Sequence, residues 1–196
     1  MPKTHTLNAN AALASALAAG ATQVRFPLDV PMLGSNGGKL LRVFWNAQMA
    51  GWDANYHGDN PRMIPSKFRP GDVLRFREDY ANDQHGLRYR ADTNAAPALQ
   101  HLWDATEWRR AALMPAALIR YTYTVAAVRA ERVLEISEAD ALKCAGGWLG
   151  PAQTFTPVIR YKEIWTALYG KRYPWADSWC WIAEMRRGPK VERGRR

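Results

Sequence analysis

The sequence predicts an α+β fold in which a mixed, mainly antiparallel sheet curls towards a barrel, with helices flanking it. Three observations carry this expectation. Residues 118–133, LIRYTYTVAAVRAERV, are rich in β-branched and aromatic types and alternate with period two. Shorter alternating runs, VLRFRE and GLRYRAD, precede it, and SWCWIAEMR follows as a further strand. The clearest helical patterns stand at the start of the chain and between the last long strands.

Taken in order, NANAALASALAAG offers Asn8 or Asn10 as N-cap, strong helix formers, and Gly20 as terminator. TQVRF and KLLRVFW follow as strands separated by a Pro- and Gly-rich loop. Residues 50–70 read as a long irregular stretch carrying Trp52, Tyr56, His57 and Arg62. In RPGDVLRFRED a Pro-Gly turn opens a strand with Val73, Arg75 and Arg77 on one face and Leu74, Phe76 and Glu78 on the other. Glu78 therefore lies either at the strand end in water or inside, facing a partner. GLRYRAD places Arg88 and Arg90 on one face, and residues 98–110, ALQHLWDATEWRR, show helical spacing. Ser137 caps a helix in SEADALKCAGG that stops at Gly146, and PVIRYKEIWTALYG is a second helix, apolar at Ile159, Ile164, Trp165 and Leu168. SWCWIAEMR closes as a strand.

Composition bounds the function. With 196 residues, 47% of them hydrophobic, and nine Trp, eight Tyr and five Phe, the chain has apolar surface enough for one substantial core. One domain over residues 1–187 with a flexible basic tail at 188–196 is the expected organisation. No apolar run reaches the roughly 20 residues of a membrane span. The N-terminus lacks the basic-then-apolar order of a secretion signal. A soluble, cytoplasmic protein without membrane contact is expected. Cys144 and Cys180 have no CxxC partner and read as reduced core thiols. His5, His57, His85 and His101 form no HExxH or HxH pair, so neither a metal nor another cofactor is expected. The formal charge is +9, and RRGPKVERGRR at the end carries six Lys or Arg against one Glu. Such an arm attracts polyanions through phosphate contacts without sequence preference.

Several of these segments together resemble the ASCH branch of the PUA-like superfamily, in the form carried by phages and prophages. The likeness runs through RPGDVLRFREDYA, YRAD, WRRAALMP, VRAERVLEISEADAL and YKEIWTALYG followed by WADSWCWIAEMRR, in that order. It implies a small mixed β-barrel flanked by helices, with a cleft at one end, in a protein of a bacterial host's cytoplasm. Related folds bind RNA or modified bases there, one relative is an amidohydrolase acting on acylated cytidine, and another has been described as a ribonuclease.

The resemblance also locates what this chain lacks. The amidohydrolase pattern has a lysine and a threonine in the turn after the first helix and a glutamate at the end of the short helix, the set that activates a nucleophile and shuttles a proton. Here those positions read Ala21, Val24 and Cys144. The phage-borne group carries an arginine where this chain has Phe26, and a His-Met-Pro-Arg-Trp run where it has LMPAA, beginning at Leu113. The implied cleft is thus lined by Ala21, Val24, Phe26, Glu78, Leu113 and Cys144.

Three functional readings follow. The first is a non-catalytic module binding single-stranded nucleic acid, RNA in preference to DNA, through Arg25, Arg75, Arg77, Arg88, Arg90, Arg120 and the tail's Arg193, Arg195 and Arg196. Arginine interleaved with aromatics offers phosphate contact and base stacking. The second is a factor that binds a host protein through an apolar cleft. The third is an amidohydrolase or ribonuclease with Glu78 as general acid or base and Arg120 as oxyanion or phosphate clamp; a Glu–Arg pair that merely fixes the barrel is the bland counterpart.

Overall fold

The long alternating stretch becomes the central strand of the main sheet. The computed structural model describes residues 1–29, 32–84, 86–95, 106–146 and 156–188. Within them the strands are β1 (Thr4–Asn8), β2 (Gln23–Pro27), β3 (Leu40–Asn46), β4 (Gly51–Tyr56), β5 (Arg62–Ile64), β6 (Val73–Arg77), β7 (Tyr80–Asp83), β8 (Gly86–Tyr89), β9 (Tyr121–Arg132) and β10 (Trp179–Arg187). The helices are α1 (Ala11–Ala18), α2 (Glu138–Ala145) and α3 (Pro157–Tyr169). Five strands form a sheet in the order β1-β6-β9-β10-β2, curled into a half-barrel. β1 runs parallel to β6, and the other neighbours are antiparallel. β3-β4-β5 make a second sheet and β7-β8 a hairpin. The fold is mixed α+β, as the residue pattern predicts.

The helices start and stop where their caps dictate. Asn10, Ser137 and Thr156 each accept a backbone N–H three residues on, from Leu13, Asp140 and Ile159. Gly146 ends α2 with φ +70, and a Cβ there would meet the Ala16 carbonyl at 2.4 Å. The missing side chain lets α2 close on α1.

Alternation along β6 and β9 sends Leu74, Phe76, Tyr121, Tyr123 and Val125 inward. They pack with Leu17 of α1, Val24 and Phe26 of β2, Phe68, and Ala183 and Met185 of β10. On the sheet's other face α2 and α3 cover β10, burying Trp165, Tyr161, Cys144, Cys180 and Ile182 together. Trp179 and Trp181 instead pack on the small sheet, against Leu40, Val43, Ala54 and Ile64.

Several expectations need correction. Residues 50–70 are not irregular: β4 and β5 form there, pairing Trp52 with Ile64 and Asp53 with Met63. β1, the parallel edge of the main sheet, and the four-residue β7 were not among the expected strands. The end of GLRYRAD leaves the strand at Tyr89 and enters a 3-10 turn, Arg90–Ala95. Residues 98–105 of the expected helix lie outside the described residues. In residues 106–110 the chain is non-helical, and Arg109 bridges Tyr80 through two backbone hydrogen bonds of 2.8 and 3.1 Å. Ile159, expected on the apolar side of its helix, is exposed.

Candidate functional site

The outward half of the alternation in β6 produces the most distinctive surface. Directly paired residues share a face, so the register places Thr6, Arg75 and Thr122 in one row across β1, β6 and β9. The next row holds Thr4, Val73, Thr124 and Arg186, and Asn8 lies opposite Arg77. These rows contain no carboxylate. Arg75 donates to the Ala116 carbonyl at 3.0 Å and Arg77 to the Ala112 carbonyl at 3.2 Å. Neutral carbonyls orient the two guanidiniums and leave their charge uncancelled. Arg75, Arg77 and Arg186 take part in no ion pair among the described residues. The Gly188 N–H donates to the Thr122 carbonyl at 3.0 Å, extending the β9–β10 ladder one step past Arg187.

Glu78 and Arg120 meet at the inner end of β6. Glu78 is buried, and its two oxygens accept from Nε and Nη2 of Arg120 at 2.7 and 2.9 Å. Asp92 takes the other edge of the same guanidinium, at 2.8 Å from both Nη1 and Nη2. The rings of Tyr89 and Tyr121 lie 4.0 and 4.8 Å from its centre. Burial pushes the Glu78 carboxyl up, and the Arg120 hydrogen bonds and charge oppose this without cancelling it. Burial would lower Arg120, but its bonds to Glu78 and Asp92 outweigh that and raise it. Four of the five guanidinium N–H groups are committed within the protein, a lock between β6, the 3-10 turn and β9.

Arg25 enters a second buried network. It is 3% exposed, on the helix-covered face of β2. Its Nη1 donates to Glu131 at 2.5 Å, Asp140 lies 3.6 Å from Nη2, and the Tyr161 ring centre is 5.9 Å away. The Cys144 thiol donates to the Gln23 side-chain carbonyl at 3.3 Å, and Cys180 sulfur lies 3.8 Å from Arg25. Burial pushes both thiols up to about 12 despite the nearby guanidinium. Neutral, enclosed thiols are poor nucleophiles.

The positions expected to line one cleft are not brought together. Ala21, Val24 and Phe26 sit in the core inside the half-barrel, Glu78 is locked to Arg120, and Cys144 belongs to the helix-side core. Leu113 is 69% exposed, on a 3-10 turn that is bonded to Arg77, Asp79 and Tyr80. Of the arginines, Arg25 is withdrawn from the surface, Arg88 pairs with Asp83, and Arg90 lies 3.4 Å from Asp79. Arg193, Arg195 and Arg196 lie outside the described residues. Compared with family models, curated proteins and solved structures, the chain matches none.

Sequence reasoning missed Thr6, Thr122, Thr124 and Arg186 on the arginine face, Asp92 beside Arg120, and Arg129, which donates to Asp140 and Glu184 at 2.6 Å each at the edge of the Arg25 network. The threonines of RYTYT were legible as the outward half of its alternation. Among the described residues no cluster of three His, Cys, Asp or Glu is placed to hold a metal, and no helix is long and apolar enough to cross a membrane.

Proposed function

We propose that the chain binds single-stranded nucleic acid without catalysis, through the phosphate backbone, on the outer face of β1-β6-β9. The observation that carries this is the carboxylate-free row of Thr6, Arg75 and Thr122, extended by Arg77 and Arg186. Cations fixed by neutral acceptors attract phosphates, and counterion release supplies the affinity. The flanking threonine hydroxyls both donate and accept, as an RNA 2′-hydroxyl requires, which favours RNA over DNA. The ordered likeness to ASCH-type, PUA-like sequences supports the same reading.

One part of the expectation changes. The aromatics that alternate with these arginines, Phe76, Tyr121 and Tyr123, point into the core. Among the described residues these rows offer phosphate contacts and no aromatic ring for stacking, so binding is independent of base sequence. The commitment of Arg120 to Glu78 and Asp92 favours the structural role of that pair over a catalytic one. Fluorescence anisotropy with a labelled RNA of about 20 nucleotides tests the proposal. Saturable binding that salt weakens is expected, and no retention at low salt would sink it.

A further inference from the structure

We infer that the cavity between the small sheet and the loop leading into β6 is a binding site for a planar aromatic ring carrying an anionic group. It encloses about 430 Å³ and is lined by Trp45, Trp52, Ile64, Phe68, Ser66 and Arg69, among others. Small-molecule sites begin at roughly 300 Å³ and are mostly apolar with a few placed polar groups.

Trp45 is the telling residue. Its register with Trp52 and, through β4, with Ile64 puts it on the core side of the small sheet, yet it stays 53% exposed. An indole on a buried face that lacks a covering neighbour leaves its ring open to a ligand. Its orientation is set by an edge-to-face series: Trp45 to Trp52 at 5.6 Å, then Trp52 to the buried Trp181 at 5.1 Å. The opposite wall is held as well. The Ser66 hydroxyl donates to the Phe68 carbonyl, and the Arg69 N–H donates to Asp72 at 3.0 Å. The Arg69 guanidinium joins no ion pair among the described residues. A cation beside an aromatic wall selects an aromatic anion. None of the residues of the arginine face lines this cavity.

Two probes, naphthoate and adenosine 5′-monophosphate, are titrated separately into the full-length chain while indole fluorescence is followed. Saturable quenching by at least one is expected. Trp45→Ala and Arg69→Gln should each weaken it about tenfold, the loss of one stacking contact or one charge-assisted contact, with circular dichroism unchanged. Response to naphthoate alone assigns the site to free aryl acids and response to the nucleotide alone to nucleotides; both support the inference. Absence of saturation by either probe up to ~10 mM, weaker than the millimolar affinities small sites reach, overturns it. So does binding that survives Trp45→Ala unchanged.

Discussion

Arg120 grips Glu78 through two parallel hydrogen bonds, 2.7 and 2.9 Å long, while its remaining edge holds Asp92. The start of β9 is thereby tied to the end of β6 and to the 3-10 turn. Removing the cation alone leaves the buried Glu78 carboxylate without its partner. Arg120→Ala should therefore cost on the order of 3 kcal/mol, read as a lower urea midpoint with an unchanged slope. Glu78→Gln keeps the shape and removes the buried charge, so it should cost less. Because the folded pKa of Glu78 is raised, its ionisation opposes folding above that value, and the Arg120→Ala protein should regain stability as pH falls towards the ordinary glutamate range.

Asp72 fastens β1 to the Pro-Gly turn. Its carboxylate accepts from the Lys3 N–H at 2.8 Å and the Arg69 N–H at 3.0 Å, and lies 2.9 Å from His5 Nε2. Burial alone would raise its pKa, but these bonds outweigh that and lower it. A depressed folded pKa means the contribution is complete above the ordinary aspartate value of about 3.9 and is lost as pH falls through the lower folded value. Hydrogen exchange of the β1 amides should accelerate over that acid window. In Asp72→Asn the acid step should shrink, and β1 should exchange faster already at neutral pH.

The two cysteines should resist alkylation. Both are buried with thiols pushed up to about 12, so iodoacetamide at pH ~8 should label neither Cys144 nor Cys180 in the native protein and both in urea. Rapid native labelling of Cys144, measured by intact mass, would contradict its place on the buried side of α2.

Arg75→Gln, Arg77→Gln and Arg186→Gln combined should weaken RNA binding and flatten its salt dependence. Three lost phosphate contacts correspond to a fall of about two in the slope of log affinity against log salt. Arg25→Met should leave that slope unchanged, because Arg25 is buried among Glu131, Asp140 and Tyr161. Equal loss in both variants, measured by anisotropy between ~50 and ~200 mM salt, would remove the outer face from the proposal.

Local chemistry made much of the fold legible. The cap at Ser137, the glycine stop at Gly146 and the alternation of β6 are properties of a few adjacent residues, and each is realised where the sequence predicts it. Of the small sheet only β3 was legible, in KLLRVFW; β4 and β5 are held by cross-strand pairs such as Trp52 with Ile64, which no local run announces. The candidate site was half legible. Arg75 and Arg77 are set on one side of β6 by period two alone, whereas Arg186 and Thr6 join them through strands distant in the chain.

By itself the sequence determined the α+β class, the helix ends and the opposite sides of each long strand, because caps and backbone pleat depend on near neighbours. Only the tertiary structure decided which side of each strand is covered. α2 and α3 close over the outer face at β2 and β10 and bury Arg25, while at β6 only the 3-10 turns at Ala112 and Ala116 lie against the same face, leaving Thr6 exposed and Arg75 and Thr122 half-buried. The two arginines occupy equivalent outward positions in their strands. Their different environments follow from long-range packing, which no local pattern encodes.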